Sequence, residues 1–312
     1  MSVKTCTDRI RESISTLIYG CTEAKELALC ALFSEGHLLI SDVPGTGKTE
    51  LAKSLALSLG LTFHRLQFTP DLLPSDVTGI YYYNQKEAEF VLRRGPVFTN
   101  ILLADEINRA TPRTQAALLE CMQEKSATVD GETMALPSPF FVIATMNPVE
   151  FAGTFPLPEA QLDRFMMSVK MTYPAEEDEM RIIDRAVEGR RVEELTACVS
   201  AEEFEECRRE IAAVHISEDV RDYIVRLVRA TREEERVRLG VSPRGTGILA
   251  RAAKTYAAMQ GRDYVIPDDI KALAVPVLAH RIVSAAQSSL RMGDSNEDII
   301  RYLLTKVPAP II

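Results

Sequence analysis

Gly45, Gly47, Lys48 and Thr49 follow one another in an order suited to holding phosphate. The glycines let backbone N–H groups close around phosphate oxygens, where a side chain would block the approach. Lys48 can reach the β- and γ-phosphates of ATP, and the Thr49 hydroxyl can ligate Mg²⁺. A helix starting here adds roughly half a positive charge aimed at the anion. Pro44 stiffens the loop and Thr46 lies between the glycines, so Pro44 to Thr49 is the expected ATP-binding stretch. The usual pattern opens with Gly. This chain has Asp42 there, a residue that tolerates turn geometry.

Further along, Asp105-Glu106 ends an apolar run. In a phosphate-loop hydrolase a carboxylate at that place binds Mg²⁺, directly or through water, and its neighbour orients and deprotonates the attacking water. Such a pair can also cap a helix or face solvent; the phosphate loop favours the catalytic reading. Asn147 ends another apolar run, where an amide could position water, although Asn147-Pro148 is also a turn former. Arg164 and Arg244 are candidates for neutralising charge on a transferring phosphoryl group. Physics alone does not separate them from the other arginines.

The elements that must position these residues follow from hydrophobic period. Leu38 to Ile40 reads as a buried parallel strand. After the loop, Leu51, Leu55 and Leu59 share a helical face that Gly60 stops. Further strands are expected at Thr62 to Phe68, Val97 to Ala104, Phe140 to Met146 and Met167 to Met171. Helices are expected at 8–19, at 22–35, after Thr111 with Pro112 at the first position and Ala116, Leu119 and Met122 inward, and from Pro158 to Phe165. Two hairpins stand apart: one joins Tyr81-Tyr-Tyr83 to Phe90-Val-Leu92, the other turns at Asp130-Gly131. The three tyrosines either offer aromatic surface to a partner or pack on the domain. From Ala175 the strand pattern ends, and helices are expected at 176–188, 200–214, 218–233, 244–260, 268–283 and 295–305. The boundary falls at about 174, between an α/β part with ligand at the carboxyl ends of its strands and an all-helical part.

Composition narrows the function classes. The chain has 312 residues, 46% of them hydrophobic, which suits about two globular domains. No apolar run approaches a membrane span and no apolar leader stands at the N-terminus, so a cytoplasmic protein is expected. The net charge of −9 counts against general nucleic-acid affinity. Cysteines 6, 21, 30, 121, 198 and 207 form no CxxC pair, and the four histidines lack HExxH spacing, so no metal beyond nucleotide-borne Mg²⁺ is indicated.

Taken together, the motifs resemble those of the MoxR family of AAA+ ATPases over essentially the whole chain. They are Asp42-Val-Pro-Gly-Thr-Gly-Lys-Thr49, Gln67-Phe-Thr-Pro-Asp-Leu-Leu-Pro-Ser-Asp76, Leu103-Ala-Asp-Glu-Ile-Asn-Arg109, Thr145-Met-Asn-Pro148, Pro156 to Phe165 and Ser242-Pro-Arg244. The resemblance implies an AAA+ phosphate-loop fold, a five-stranded parallel sheet in residues 1–174 followed by a helical lid in 175–312. It implies that Asp105 and Glu106 are the Walker B pair and Asn147 sensor 1. Arg164 would be an arginine finger given to a neighbouring subunit, and Arg244 sensor 2 on the lid. The hairpins near 79–92 and 127–136 would be the inserts that approach the central pore of a ring. Met146 stands where the family often has Gln.

The resemblance further implies Mg²⁺-dependent ATP hydrolysis in a ring, hexameric in the family pattern, coupled to chaperone-like remodelling or maturation of a client protein complex. The partner would carry a von Willebrand factor A domain on a separate chain. Rival readings share this core: a nucleic-acid motor, favoured only by Arg93-Arg94 near a hairpin, a magnesium-chelatase-type ATPase subunit, and a nucleotide switch that barely hydrolyses.

Overall fold

A computed structural model describes residues 2–42, 45–146, 153–285 and 295–311. In chain order the elements are α1 (Val3–Ser15), α2 (Thr22–Phe33), β1 (Leu38–Asp42), α3 (Lys48–Ser58), β2 (Phe63–Gln67), α4 (Pro74–Thr78), β3 (Gly79–Asn84) and β4 (Glu89–Arg94). Next come β5 (Ile101–Asp105), a 3-10 turn (Ile107–Arg109), α5 (Pro112–Glu124), β6 (Ser126–Val129), β7 (Glu132–Ala135), β8 (Phe141–Met146), α6 (Glu159–Leu162) and β9 (Met167–Met171). The remainder holds α7 (Glu176–Glu188), α8 (Ala201–Ala213), α9 (Glu218–Glu233), β10 (Val237–Leu239), α10 (Pro243–Met259), α11 (Pro267–Leu278), β11 (Val283–Ser284) and α12 (Asn296–Lys306).

The five expected apolar strands form one parallel sheet in the order β2-β5-β8-β1-β9. Side chains alternate across it. Leu38, Ile40, Ile101, Leu103, Phe141 and Ile143 enter the core on one face, and Leu39, Leu102, Ala104, Val142 and Ala144 enter the core on the other. Both faces are covered, which is why these strands read as continuous apolar runs. The first of these cores runs without a break through α1 and α2 into Phe204, Tyr223, Leu249 and Leu273 of the later helices. Full burial of each such side chain stabilises by roughly 1.5–3 kcal/mol, so α1 and α2 bind the helical part firmly to the sheet.

Several expectations shift. The first helix starts at Val3 rather than residue 8, because the Ser2 hydroxyl accepts the Thr5 N–H at 3.2 Å and caps it. It ends at Ser15, leaving Leu17 and Ile18 buried beyond it. Thr111 stands at the N-cap of α5 without a side-chain cap bond, its hydroxyl lying 3.3 Å from that of Thr114. Ala116 is exposed; the inward face of α5 is Leu118, Leu119, Cys121 and Met122. The helical part does contain strand: β10 pairs antiparallel with β11. The helix expected over 268–283 breaks at Leu278 into a 3-10 turn, Ala279–Arg281. The two hairpins form as expected, β3 with β4 and β6 with β7. At the root of the first, a side chain on Gly79 (φ +106°) would meet the Arg93 carbonyl at 2.5 Å.

Candidate active site

The turn between β1 and α3 puts the phosphate-loop residues at the carboxyl end of the sheet, beside the point where strand order reverses between β8, β1 and β9. Gly45 (φ +87°) and Gly47 (φ +84°) both take the left-handed conformation that favours glycine, and the space a Cβ would occupy at either is open. Thr46 is buried. Lys48 opens α3, followed by the half-buried Thr49. Pro44 and Asn147 lie outside the described residues.

Asp105, at the end of β5, is 2% exposed. Its Oδ1 accepts the Thr145 hydroxyl at 2.7 Å and lies 3.2 Å from the Lys48 ammonium. Its Oδ2 accepts both Arg65 Nη2 at 2.7 Å and Arg65 Nε at 3.2 Å. Burial pushes the carboxyl up, but the Thr145 and Arg65 hydrogen bonds and the Lys48 charge outweigh it and hold it below the usual range. Glu106 follows with φ +56°, a left-handed backbone uncommon for a residue with a side chain. Its N–H donates to the Thr145 oxygen at 2.8 Å, and its Oε2 accepts from Gln67 Nε2 at 2.7 Å and Arg109 Nη1 at 3.0 Å. Thr145 therefore joins both carboxylate residues through one hydroxyl.

Thr145, Arg65, Gln67 and Arg109 were not assigned roles from sequence. A signal for two of them exists: Arg65 and Gln67 alternate along β2, and Gln67 is in register with Asp105. The oxygen donors Thr49 and Asp105, with an open cradle at the glycines, fit a Mg²⁺ that arrives with nucleotide phosphates. Among the described residues no group of three or more His, Cys, Asp or Glu could hold a metal by itself.

Two cavities flank this centre. One, of about 300 Å³, lies between the start of α2 and the chain entering α7 and is lined by Gly20, Cys21, Met171, Tyr173 and Asp178. It adjoins the loop, since the Cys21 thiol lies 3.9 Å from the Thr46 carbonyl. Here Arg185 of α7 forks onto Glu50 of α3 at 2.8 and 2.9 Å.

The other cavity, about 160 Å³, is lined by Arg164, Arg244, Arg251, Lys125 and Glu35 among others, and by none of the described phosphate-loop residues. Sequence thus named two groups that the fold keeps separate: Gly45 to Thr49 with Asp105 and Glu106, and Arg164 with Arg244. The second group is held by Arg281, buried behind it. The Arg281 guanidinium donates to Asp163 Oδ1 at 2.8 Å and to the carbonyls of Phe165 and Met166, and Asp163 also takes the Ser242 hydroxyl at 3.3 Å. That network joins α6 to the start of α10. Burial pushes Arg281 down to about 10, with Asp163 opposing and Arg244 and Arg251 adding to the shift. His37, on the same cavity wall, accepts the Val142 N–H at Nδ1 (3.0 Å), and its Nε2 lies 3.1 Å from the Met122 carbonyl.

Comparison with known proteins agrees with this geometry. Residues 37–167 match the ATPase family associated with various cellular activities (AAA), and residues 229–302 match the AAA lid domain. The chain is 47% identical to the uncharacterized protein YeaC of Bacillus subtilis, covering 96% of this chain and 93% of the relative. It is 41% identical to Chaperone MoxR1 of Mycobacterium tuberculosis, over 95% of this chain and 80% of that one. Protein MoxR of Methylorubrum extorquens is 31% identical over 97% of this chain and 94% of its own. A crystal structure of a presumed ATPase from Cytophaga hutchinsonii superposes with a TM-score of 0.91 at 40% identity, covering 99% of this chain and 96% of that one.

Proposed function

The chain belongs to the MoxR family of AAA+ ATPases and hydrolyses ATP, and from that premise we propose how its site is completed. ATP with Mg²⁺ binds at Gly45 to Thr49, its base in the cavity beside Cys21. Asp105 and Thr49 hold the Mg²⁺, which neutralises phosphate charge when bound. Glu106 deprotonates the attacking water, and Asn147 positions it. Arg164 and Arg244 act on the nucleotide of a neighbouring copy, so that hydrolysis needs a ring, which we take to be a hexamer.

The observation that carries this reading is the cavity shared by Arg164 and Arg244 without any of the described phosphate-loop residues. Two guanidiniums suited to phosphate stand apart from their own chain's phosphate site. A second copy supplies the missing anion. We divide the chain at about 174, the part from 175 onward serving as the lid. Its motion against the sheet would drive the β3–β4 hairpin, whose Tyr82, Tyr83 and Phe90 are exposed, against a client. The work done is chaperone-like remodelling of a protein complex with a von Willebrand factor A partner, in keeping with the relative named Chaperone MoxR1.

The test is the ATPase rate per subunit across protein concentration, with particle size measured at each dilution. The expected rate rises steeply as rings form. A full rate from a monomer would sink the in-trans reading. A second test mixes Arg164→Ala with Lys48→Ala protein: each is inactive alone, and the mixture should recover activity, because one supplies the phosphate loop and the other the finger. Arg164→Ala alone should lose about a thousandfold or more in rate while still binding ATP.

A further inference from the structure

The cavity beside α6 holds more cation than Arg164 and Arg244 account for. Arg244, Ile248 and Arg251 stand at i, i+4 and i+7 on α10, so one helix face carries two arginines whose Cα positions are about 10 Å apart along the axis. Side chains of that length converge readily on one polyphosphate. Among the described residues, the guanidiniums of Arg164, Arg244 and Arg251 have no ion-pair or hydrogen-bond partner. The nearby acids are already engaged: Glu35 by Lys125 and Arg208, Asp163 by Arg281. Partial burial holds the Arg251 guanidinium below the usual arginine range, Glu35 opposing and Arg244 adding to the shift. Unpaired cations crowded in this way are relieved by an anion that all of them can reach.

We propose that Arg251 is a third phosphate-contacting residue, presented together with Arg164 and Arg244 to the nucleoside triphosphate held by a neighbouring copy. The proposal rests on the in-trans reading given above. It assigns Arg251 to the transferring phosphates of another chain and not to the stability of its own. Ile248 between the two α10 arginines is buried.

The experiment uses full-length Arg251→Gln, alone and mixed with Lys48→Ala, beside the Arg164→Ala and Lys48→Ala pair. Arg251→Gln should bind a fluorescent ATP analogue as tightly as the parent chain, because its own phosphate loop is intact, and should lose about a hundredfold in turnover. Mixing with Lys48→Ala should restore activity, since that chain carries an intact Arg251. Arg251→Lys, which keeps the charge but not the fork, should fall between the two. If the Arg164 pair complements and Arg251→Gln turns over like the parent, Arg251 has no such role. If the Arg164 pair complements but Arg251→Gln is slow and is not rescued, Arg251 acts within its own chain and the proposal is overturned. Failure of the Arg164 pair itself would overturn the in-trans reading and this inference with it.

Discussion

At the end of β5, the charges Lys48, Asp105, Glu106, Arg65 and Arg109 answer one another within the chain. In the cavity between α6 and α10, Arg164, Arg244 and Arg251 have no such partners among the described residues. The two regions have opposite electrostatic needs. The first is satisfied before ligand arrives, so nucleotide and Mg²⁺ must displace protein contacts to enter it. The second is unsatisfied until an anion comes from outside. On the in-trans reading proposed above, such a chain would carry two halves of different sites, and the contrast predicts different responses to mutation.

The largest effect is expected at the satisfied centre. Lys48→Ala removes the main cation facing the phosphates and leaves Asp105 with one fewer partner. ATP binding by a fluorescent analogue should fall below detection, and no mixture should restore binding to that chain's own site. Retained tight binding would mean that the glycine backbone alone holds the phosphates. Next, Glu106→Gln should keep ATP binding and lower turnover by about 10²–10⁴-fold, the usual contribution of a positioned base. A loss of affinity in that variant would show that Glu106 holds nucleotide and does not activate water.

Much of this contrast was open to reading in the sequence, and the rest was closed for physical reasons. The runs Leu38 to Ile40 and Phe141 to Ala144 announce strands buried on both faces. Ser200 and Glu203, three apart before an apolar-periodic helix, form a capping box, with Glu203 N–H to Ser200 Oγ at 3.2 Å and Ser200 N–H to Glu203 Oε2 at 2.7 Å. Asp130-Gly131 takes the positive φ pair, +48° and +87°, that its hairpin turn requires. By contrast, β10 and β11 are too short to carry a period, and they pair across a long, mostly helical intervening segment. The meeting of α6 with α10 depends on Asp163 and Arg281, far apart in the chain, and no local pattern marks that bond. The grip of Arg65 and Gln67 on Asp105 and Glu106 arises from register between β2 and β5, which only the assembled sheet fixes.

The cavity wall offers a test that needs no nucleotide. Burial lowers His37 to about 4, outweighing its bond to the Met122 carbonyl, with Lys125 and Arg251 pushing further. The folded chain therefore refuses a proton that the unfolded chain accepts at about 6.5. The stability His37 contributes is present above that value and is lost as pH falls towards 4, on the order of 3 kcal/mol across the window. His280, also buried and lowered, adds in the same direction. Thermal melts should fall across pH 6.5 to 4, and His37→Gln should take up one proton fewer on unfolding. An unchanged slope in His37→Gln would mean that His37 takes a proton as readily folded as unfolded, which would weaken the picture of a cavity short of anions.

The smallest expected effect bears most directly on the satisfied centre. Arg65 forks onto the same Asp105 carboxylate that is proposed to hold Mg²⁺, yet its side chain is 48% exposed, so solvent screens the pair. An ion pair of that exposure is worth up to about 1 kcal/mol. Arg65→Gln should therefore lower the Mg²⁺ concentration for half-maximal ATP binding only about two- to fivefold. The direction is decisive, since removal of a competitor eases Mg²⁺ entry, whereas removal of a phosphate contact raises the requirement. A higher Mg²⁺ requirement in Arg65→Gln would place Arg65 with the phosphate-binding cations. The paired state of Asp105 would then be one stage of the nucleotide cycle in which Arg65 changes partner.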